Sequence, residues 1–162
     1  MTFDLKDYRS ALGSFATGVT IVTTLDSNGN GHGLTVNSFA SVSLEPPLVL
    51  WCLGNKSDSF DLFSKCDAYA INVLADSQGD LAMRFAGKGD QKLAAGEYGA
   101  LQTGSPILPG TIAAFDAAVV QRIEAGDHLI LLGQTKAYQR HDGQGLAYFR
   151  GQFGSTTALA NS

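Results

Sequence analysis

Three groups of residues in this chain have types and spacing that could do chemistry. The first is Gly126-Asp127-His128, a turn presenting the side chain that most often handles protons or stacks on a flat cation near neutral pH. A turn histidine serves equally as a solvated surface group, and Asp127 is not expected to pair with it, because adjacent turn residues seldom face each other. The second runs Gly33-Leu34-Thr35-Val36-Asn37-Ser38-Phe39-Ala40-Ser41-Val42-Ser43 and mixes small polar residues with apolar ones. It reads either as a strand with its hydroxyls in water or as a ligand wall, since small side chains let a flat ring reach backbone N–H and C=O groups. The third is Ser57-Asp58-Ser59, read as a helix start with Ser57 as N-cap. Free N–H groups there favour an anion such as phosphate, with Lys56 and Arg84 available to neutralise it, although plain capping accounts for the same residues.

Other chemistries lack their residues. There is no nucleophile motif, no P-loop, no Gly-x-Gly-x-x-Gly after a strand and no metal-ligand cluster, so hydrolysis, kinase chemistry and a metal site are not expected. His32 and His141 sit beside glycine-rich turns and read as surface groups. Cys52 and Cys66 lack metal-ligand spacing and read as buried thiols.

The elements that must position these groups follow from periodicity. Leu5, Tyr8, Leu12 and Phe15 recur at helical steps, which predicts an amphipathic helix over 4–14, closed at Gly13 and packed on another surface. Val19 to Leu25 is rich in β-branched residues and leads into Asp26-Ser27-Asn28-Gly29-Asn30-Gly31, so a β-hairpin is predicted whose return arm runs from Gly33 to Ser43. After Glu45-Pro46-Pro47 a strand covers Leu48 to Leu53, a short helix covers Ser57 to Lys65, and a strand covers Ala68 to Leu74. Residues 77–86 favour helix, whereas 87–110, with six glycines and two prolines, read as loop. Strands at 112–124, 128–138 and 145–150 complete the chain. Short turns between neighbours favour an antiparallel sheet closed as a barrel or packed as a sandwich, a choice that periodicity leaves open.

At 162 residues the chain has the length of a single domain, 1–162. Charged residues make up 16%, below the roughly 25% of typical soluble domains, while apolar residues reach 44% in short scattered runs, which favours a buried subunit interface. The net charge of −4 and the absence of a Lys/Arg cluster argue against nucleic acid or an anionic membrane as partner. Without a basic, apolar leader at Met1 or a long apolar run, a cytoplasmic protein acting on small molecules is expected.

Taken together the segments resemble the flavin reductase-like proteins that supply reduced flavin to two-component monooxygenases. The resemblance is carried by Phe15-Ala16-Thr17-Gly18-Val19-Thr20, the Gly33 to Ser43 stretch with Pro46-Pro47, Asn72-Val73-Leu74, Arg84-Phe85-Ala86-Gly87, Gly126-Asp127-His128 and Leu146-Ala147-Tyr148-Phe149-Arg150-Gly151. It implies a mainly β fold with inserted helices, a split β-barrel of the FMN-binding type, and a homodimer with flavin near the subunit interface. It also implies that Thr35, Val36, Asn37, Ser38, Ser41 and Val42 lie along the isoalloxazine and ribityl chain of FMN or FAD. Lys56, Ser57 and Ser59 with Arg84 and Phe85 would hold the phosphate end. His128, in its turn with Gly126 and Asp127, would position the nicotinamide of NADH or NADPH, and Tyr148, Arg150 and Gly151 would shape that pocket. No Arg pair for a 2′-phosphate is evident, which tilts the donor towards NADH. Hydride transfer to flavin, with a separate oxygenase receiving the reduced product, is the implied activity. The alternatives are a flavoprotein that keeps its flavin and reduces a corrinoid or ferric iron, and a flavin-binding module without turnover.

Overall fold

The computed structural model describes residues 3–159. In chain order its elements are α1 (Leu5–Leu12), β1 (Thr17–Gly18), β2 (Thr20–Leu25), β3 (Gly31–Val36), β4 (Ala40–Leu44), β5 (Pro47–Gly54), α2 (Phe60–Lys65), β6 (Ala68–Val73) and α3 (Gly79–Ala86). They continue with β7 (Gly99–Ala100), β8 (Pro106–Ile107), β9 (Ala113–Ala125), β10 (His128–Arg140), β11 (Leu146–Phe149) and β12 (Gln152–Ser155).

Seven strands form one antiparallel sheet in the order β3-β2-β6-β9-β10-β5-β4. Its two edges, β3 and β4, are consecutive in the chain and are separated only by Asn37, Ser38 and Phe39. Such a linker spans at most about 14 Å, so the sheet must curl until its edges nearly meet. The seam between them carries no ladder, which makes the sheet a barrel left open along one side.

Alternation fills this barrel. Along β5, Val49, Trp51 and Leu53 point inward and are buried, as a strand period of two requires. Trp51 meets Phe63 of α2 edge-on at 5.4 Å and Tyr69 of β6 at 6.0 Å. A second cluster lies outside the barrel wall, where Val19, Ile21, Leu74, Phe85 and Leu146 pack beneath α3. Strand β2 is therefore buried on both faces, with Val22 in the first cluster and Ile21 in the second.

The structure departs from the sequence reading in five places. The return arm predicted from Gly33 to Ser43 is two strands, because Ser38 leaves the ladder: its Oγ accepts the Cys52 N–H at 2.9 Å and donates to the Cys52 carbonyl at 3.2 Å. The helix predicted from Ser57 begins at Phe60, since the Ser57 Oγ is taken by the Ser59 N–H and the Ser57 carbonyl by the Phe60 N–H. The 87–110 segment holds the small β7–β8 pair and is pinned to the sheet, and β12 was not foreseen. The pin is Asn72, fully buried on β6, whose amide donates to the carbonyls of Ile21 and Pro106 and to Thr23 Oγ1 while its Oδ1 accepts the Leu108 N–H at 2.8 Å. Helix α1 forms as expected on its Asp4 N-cap, but none of its residues is buried, so in the single chain it packs on nothing. No described helix is long and apolar enough to cross a membrane.

Candidate functional site

Three depressions follow one another along β3 and past Asn37 at its end. One of about 260 Å³ is lined by Thr35, Val36, Asn37, Met83, Ala86 and Tyr148, among others. A second of about 350 Å³ shares Ala86 and extends past Leu34 to Lys56, Ser57, Ser59 and Lys88. The third, about 830 Å³, shares Asn37 and Tyr148 and runs past Arg150 and Gly151 to the face of α1. Shared walls make them one trough that suits an elongated ligand, apolar at its middle and cationic at one end.

The middle of the trough is built by β3 and the outer face of α3. Gly33 lies flat against Phe85, where an added Cβ would come within 3.0 Å of the ring. Thr35 Oγ1 donates to the Ala82 carbonyl at 2.7 Å, so strand and helix are tied together. Met83, exposed on α3, adds a flexible apolar side chain that the sequence reading did not single out. At the far end, Arg150 takes φ 48° and Gly151 φ 81° in the turn between β11 and β12. The Arg150 N–H donates to the Gly13 carbonyl at 2.9 Å and fixes that turn to the end of α1. Thr17 Oγ1, also in this wall, is buried without a partner.

The cationic end brings together Lys56, Ser57 and Ser59 as expected, but not Arg84 or Phe85. Arg84 is bound to Glu97 at 2.8 and 3.1 Å and to the Lys92 carbonyl at 3.0 Å, strapping the loop beyond α3 onto the helix. That ion pair holds the Glu97 carboxyl down at about 2. Phe85 is fully buried core and lines none of the three depressions. Lys88 supplies the second cation of the cleft in their place. Because α2 starts at Phe60 and has six residues, the charge here comes from lysines and not from a helix end.

The Gly126-Asp127-His128 turn caps the β9–β10 hairpin. Gly126 takes φ 61°, and the chain reverses so tightly that Asp127 Oδ1 lies 2.7 Å from His128 Nδ1. The two neighbours thus pair despite their adjacency, and the bond holds the Asp127 carboxyl below its ordinary range. The turn is fastened to the end of β5: the Asn55 N–H donates to the Asp127 carbonyl at 3.0 Å, and the Asn55 amide reaches the Gly126 carbonyl at 3.4 Å. His128 pairs with Gly54 across the ladder, so the imidazole sits beside a position without a side chain and two residues from Lys56. Asn55 is a positioning residue that no sequence motif announced.

Ser41 and Val42 lie exposed on the edge strand β4 and line none of the three depressions. The remaining polar groups are structural. His32 Nε2 is 3.0 Å from Asp26 Oδ2 inside the β2–β3 turn, and Cys66 is buried, its thiol pushed up to about 11 by burial. Cys52 is only partly buried. Among the described residues no cluster of metal-ligating side chains is present.

Residues 12–157 match the family described as flavin reductase like domain. A probable flavin reductase of Rhizobium meliloti is 40% identical over 151 residues, covering 93% of this chain and 49% of that protein, so the chain spans about half that relative's length. The protein named FMN reductase (NADH) SmoA of Agrobacterium fabrum is 40% identical over 92% of this chain and 84% of its own. Among solved structures, the Streptomyces globisporus NADH:FAD oxidoreductase SgcE6, in complex with NAD and FAD fragments, superposes with a TM-score of 0.89 at 32% identity, over 98% of this chain and 96% of that one. The open seven-stranded barrel is the split β-barrel of these proteins.

Proposed function

We infer, from the fact that this chain belongs to the family of flavin reductase-like domains, that it is an NAD(P)H-dependent flavin reductase whose product serves a separate oxygenase. The observation that carries this reading is the trough along β3, which joins an apolar middle to a lysine-lined end at Lys56, two residues beyond Gly54, the cross-strand partner of His128. The residues present fit a flavin. Thr35, Val36, Asn37 and Tyr148 offer a wall of small and flat groups for the ring system, and Lys56 neutralises the phosphate end. Bound nicotinamide and flavin would supply the hydride chemistry between them, so the electronics would belong to the cofactors.

The chain's own residues position the two rings and exclude water, a contribution worth roughly 7–11 kcal/mol in well-oriented pairs. His128 is the nicotinamide-side residue, held by Asp127 and, through the turn, by Asn55. Neither group has to move a proton for hydride transfer. NADH is the favoured donor.

A homodimer is part of this reading. Leu5, Tyr8, Leu12 and Phe15 of the α1 segment are exposed, Phe15 by 78%, and Leu12 and Phe15 border the third depression. A second copy covering that face would bury them and close the trough. Light scattering in solution should give twice the mass of the chain. For the activity, purified protein is mixed with NADH or NADPH and with FMN or FAD, and nicotinamide absorbance is followed. Oxidation with at least one flavin is expected, and none with any combination refutes the reductase.

A further inference from the structure

We propose that the outward face of β10, β5 and β4 is where a second copy of this chain sits, and that this copy supplies the wall that His128 lacks. The role given to His128 rests on the flavin reductase reading; the face itself does not.

The outer side of an antiparallel barrel meets water, so its outward residues should be polar. On β5 the inward set is Val49, Trp51 and Leu53, yet the outward set, Leu48, Leu50 and Cys52, is equally free of charge and only half-buried. Strand β10 continues the pattern, with Ile130 and Leu132 facing outward between the buried Leu129, Leu131 and Gly133. Register joins these side chains into one patch. Ile130 stands opposite Cys52 on one side and Ile123 on the other, and Leu132 stands opposite Leu50 and Gln121. Leu50 in turn faces Ala40 on β4, the unpaired edge. None of these outward positions carries a charge.

Charge decides the occupant. Two copies of a chain with net charge −4 repel, and near a two-fold axis each group meets its own counterpart, so an uncharged patch is the face best able to lie on itself. Area agrees. Four strands about 4.8 Å apart, each giving about six residues of about 3.3 Å, make a footprint of roughly 400 Å². A stable dimer needs about 800 Å² from each partner, so the patch alone falls short. The apolar stripe of α1 makes up the difference. Asn37 lines the third depression with Leu12 and Phe15, and Ala40 follows three residues later, at most about 11 Å away, so helix stripe and sheet patch are one surface.

The patch ends at the candidate site. His128 and Gly54 are the next outward pair after Ile130 and Cys52, and His128 lines none of the depressions of the single chain. A copy seated on the patch reaches past Ile130 and walls the nicotinamide side, whereas the trough along β3 is built within one chain.

The test compares the wild-type protein with Leu132→Arg and Ile123→Arg, both on the outward face. Ile123 is 39% exposed in the single chain, so its variant folds even if Leu132→Arg does not. Light scattering should give twice the chain mass for the wild type and the mass of one chain for the folded variants. Cys52, partly exposed in the single chain, should react with a maleimide about tenfold more slowly in the wild-type dimer than in the variants, because the interface covers it. Turnover of NADH should fall about tenfold or more in the monomeric variants, with the flavin dissociation constant nearly unchanged. A monomeric wild type, a folded Ile123→Arg protein that stays as firmly dimeric as the wild type, or equal Cys52 reactivity in both overturns the face. Wild-type turnover in a monomeric variant overturns the role of the second copy at His128. Mass and thiol reactivity need neither flavin nor nicotinamide, so they remain readable even if the wild-type protein oxidises no NADH, the result that would refute the reductase itself.

Discussion

The wall of the trough and the Gly126–His128 turn are built in opposite ways. In the wall Thr35 is committed to the fold by its bond to the Ala82 carbonyl, and just beyond it Ser38 is committed to both backbone groups of Cys52. The turn keeps its imidazole half-exposed and bound only to Asp127. A ligand along β3 therefore meets shape and backbone, while one at the hairpin tip meets an available side chain. Substitutions in the wall should act through stability, and those in the turn through turnover.

The largest expected effect is at Phe85, which supports the wall from behind. Phe85→Ala should cost about 3–5 kcal/mol of stability in denaturant titration, the range for a buried aromatic. A folded, stable variant that had lost only flavin binding would return Phe85 to the ligand. Ser38→Ala should cost about 1–3 kcal/mol, because the Cys52 N–H and carbonyl lose their partner at the seam. Here flavin affinity should fall only with stability, as a thermal melt beside a flavin titration would reveal. His128→Ala is the reverse case. It should lower kcat/KM for NADH about tenfold, the loss of one ring contact or hydrogen bond, with an unchanged melt and an unchanged flavin constant. Equal losses of flavin and nicotinamide binding would erase the contrast.

The smallest effect concerns pH. Asp127 is lowered first by its hydrogen bond to His128, so its contribution is fully present above the ordinary carboxylate range and lost only as pH falls through the depressed folded value. Between pH 5 and 9 its charge is constant. Asp127→Asn should accordingly shift the level of NADH turnover without adding a new inflection to the pH profile in that range.

Strands and their order were largely legible because alternation and turn residues are local signals: β5, β6 and the β9–β10 hairpin stand within a few residues of their predicted places. What escaped the sequence depended on partners far along the chain. Ser38 bends the return arm through Cys52, fourteen positions away, and Arg84 is tied to Glu97, thirteen away, and lines none of the depressions. The site showed the same split. Thr35, Val36, Asn37, Lys56 and Tyr148 line the trough together, whereas Lys88 and Gln91 lay in a segment whose placement no local pattern announced, and Met83 stood in a predicted helix with nothing to show which way it faced.

Asn72 has a consequence for how the 100–110 segment moves. Its amide binds Ile21, Thr23, Pro106 and Leu108 at once, so Leu108 cannot leave unless a buried amide on a central strand is stripped of its partners. In hydrogen-exchange terms the Leu108 N–H belongs with β2 and β6, exchanging only when the sheet opens as a whole, although it stands in a stretch of glycines and prolines. A segment with the composition of a lid thus behaves as part of the barrel's rigid frame.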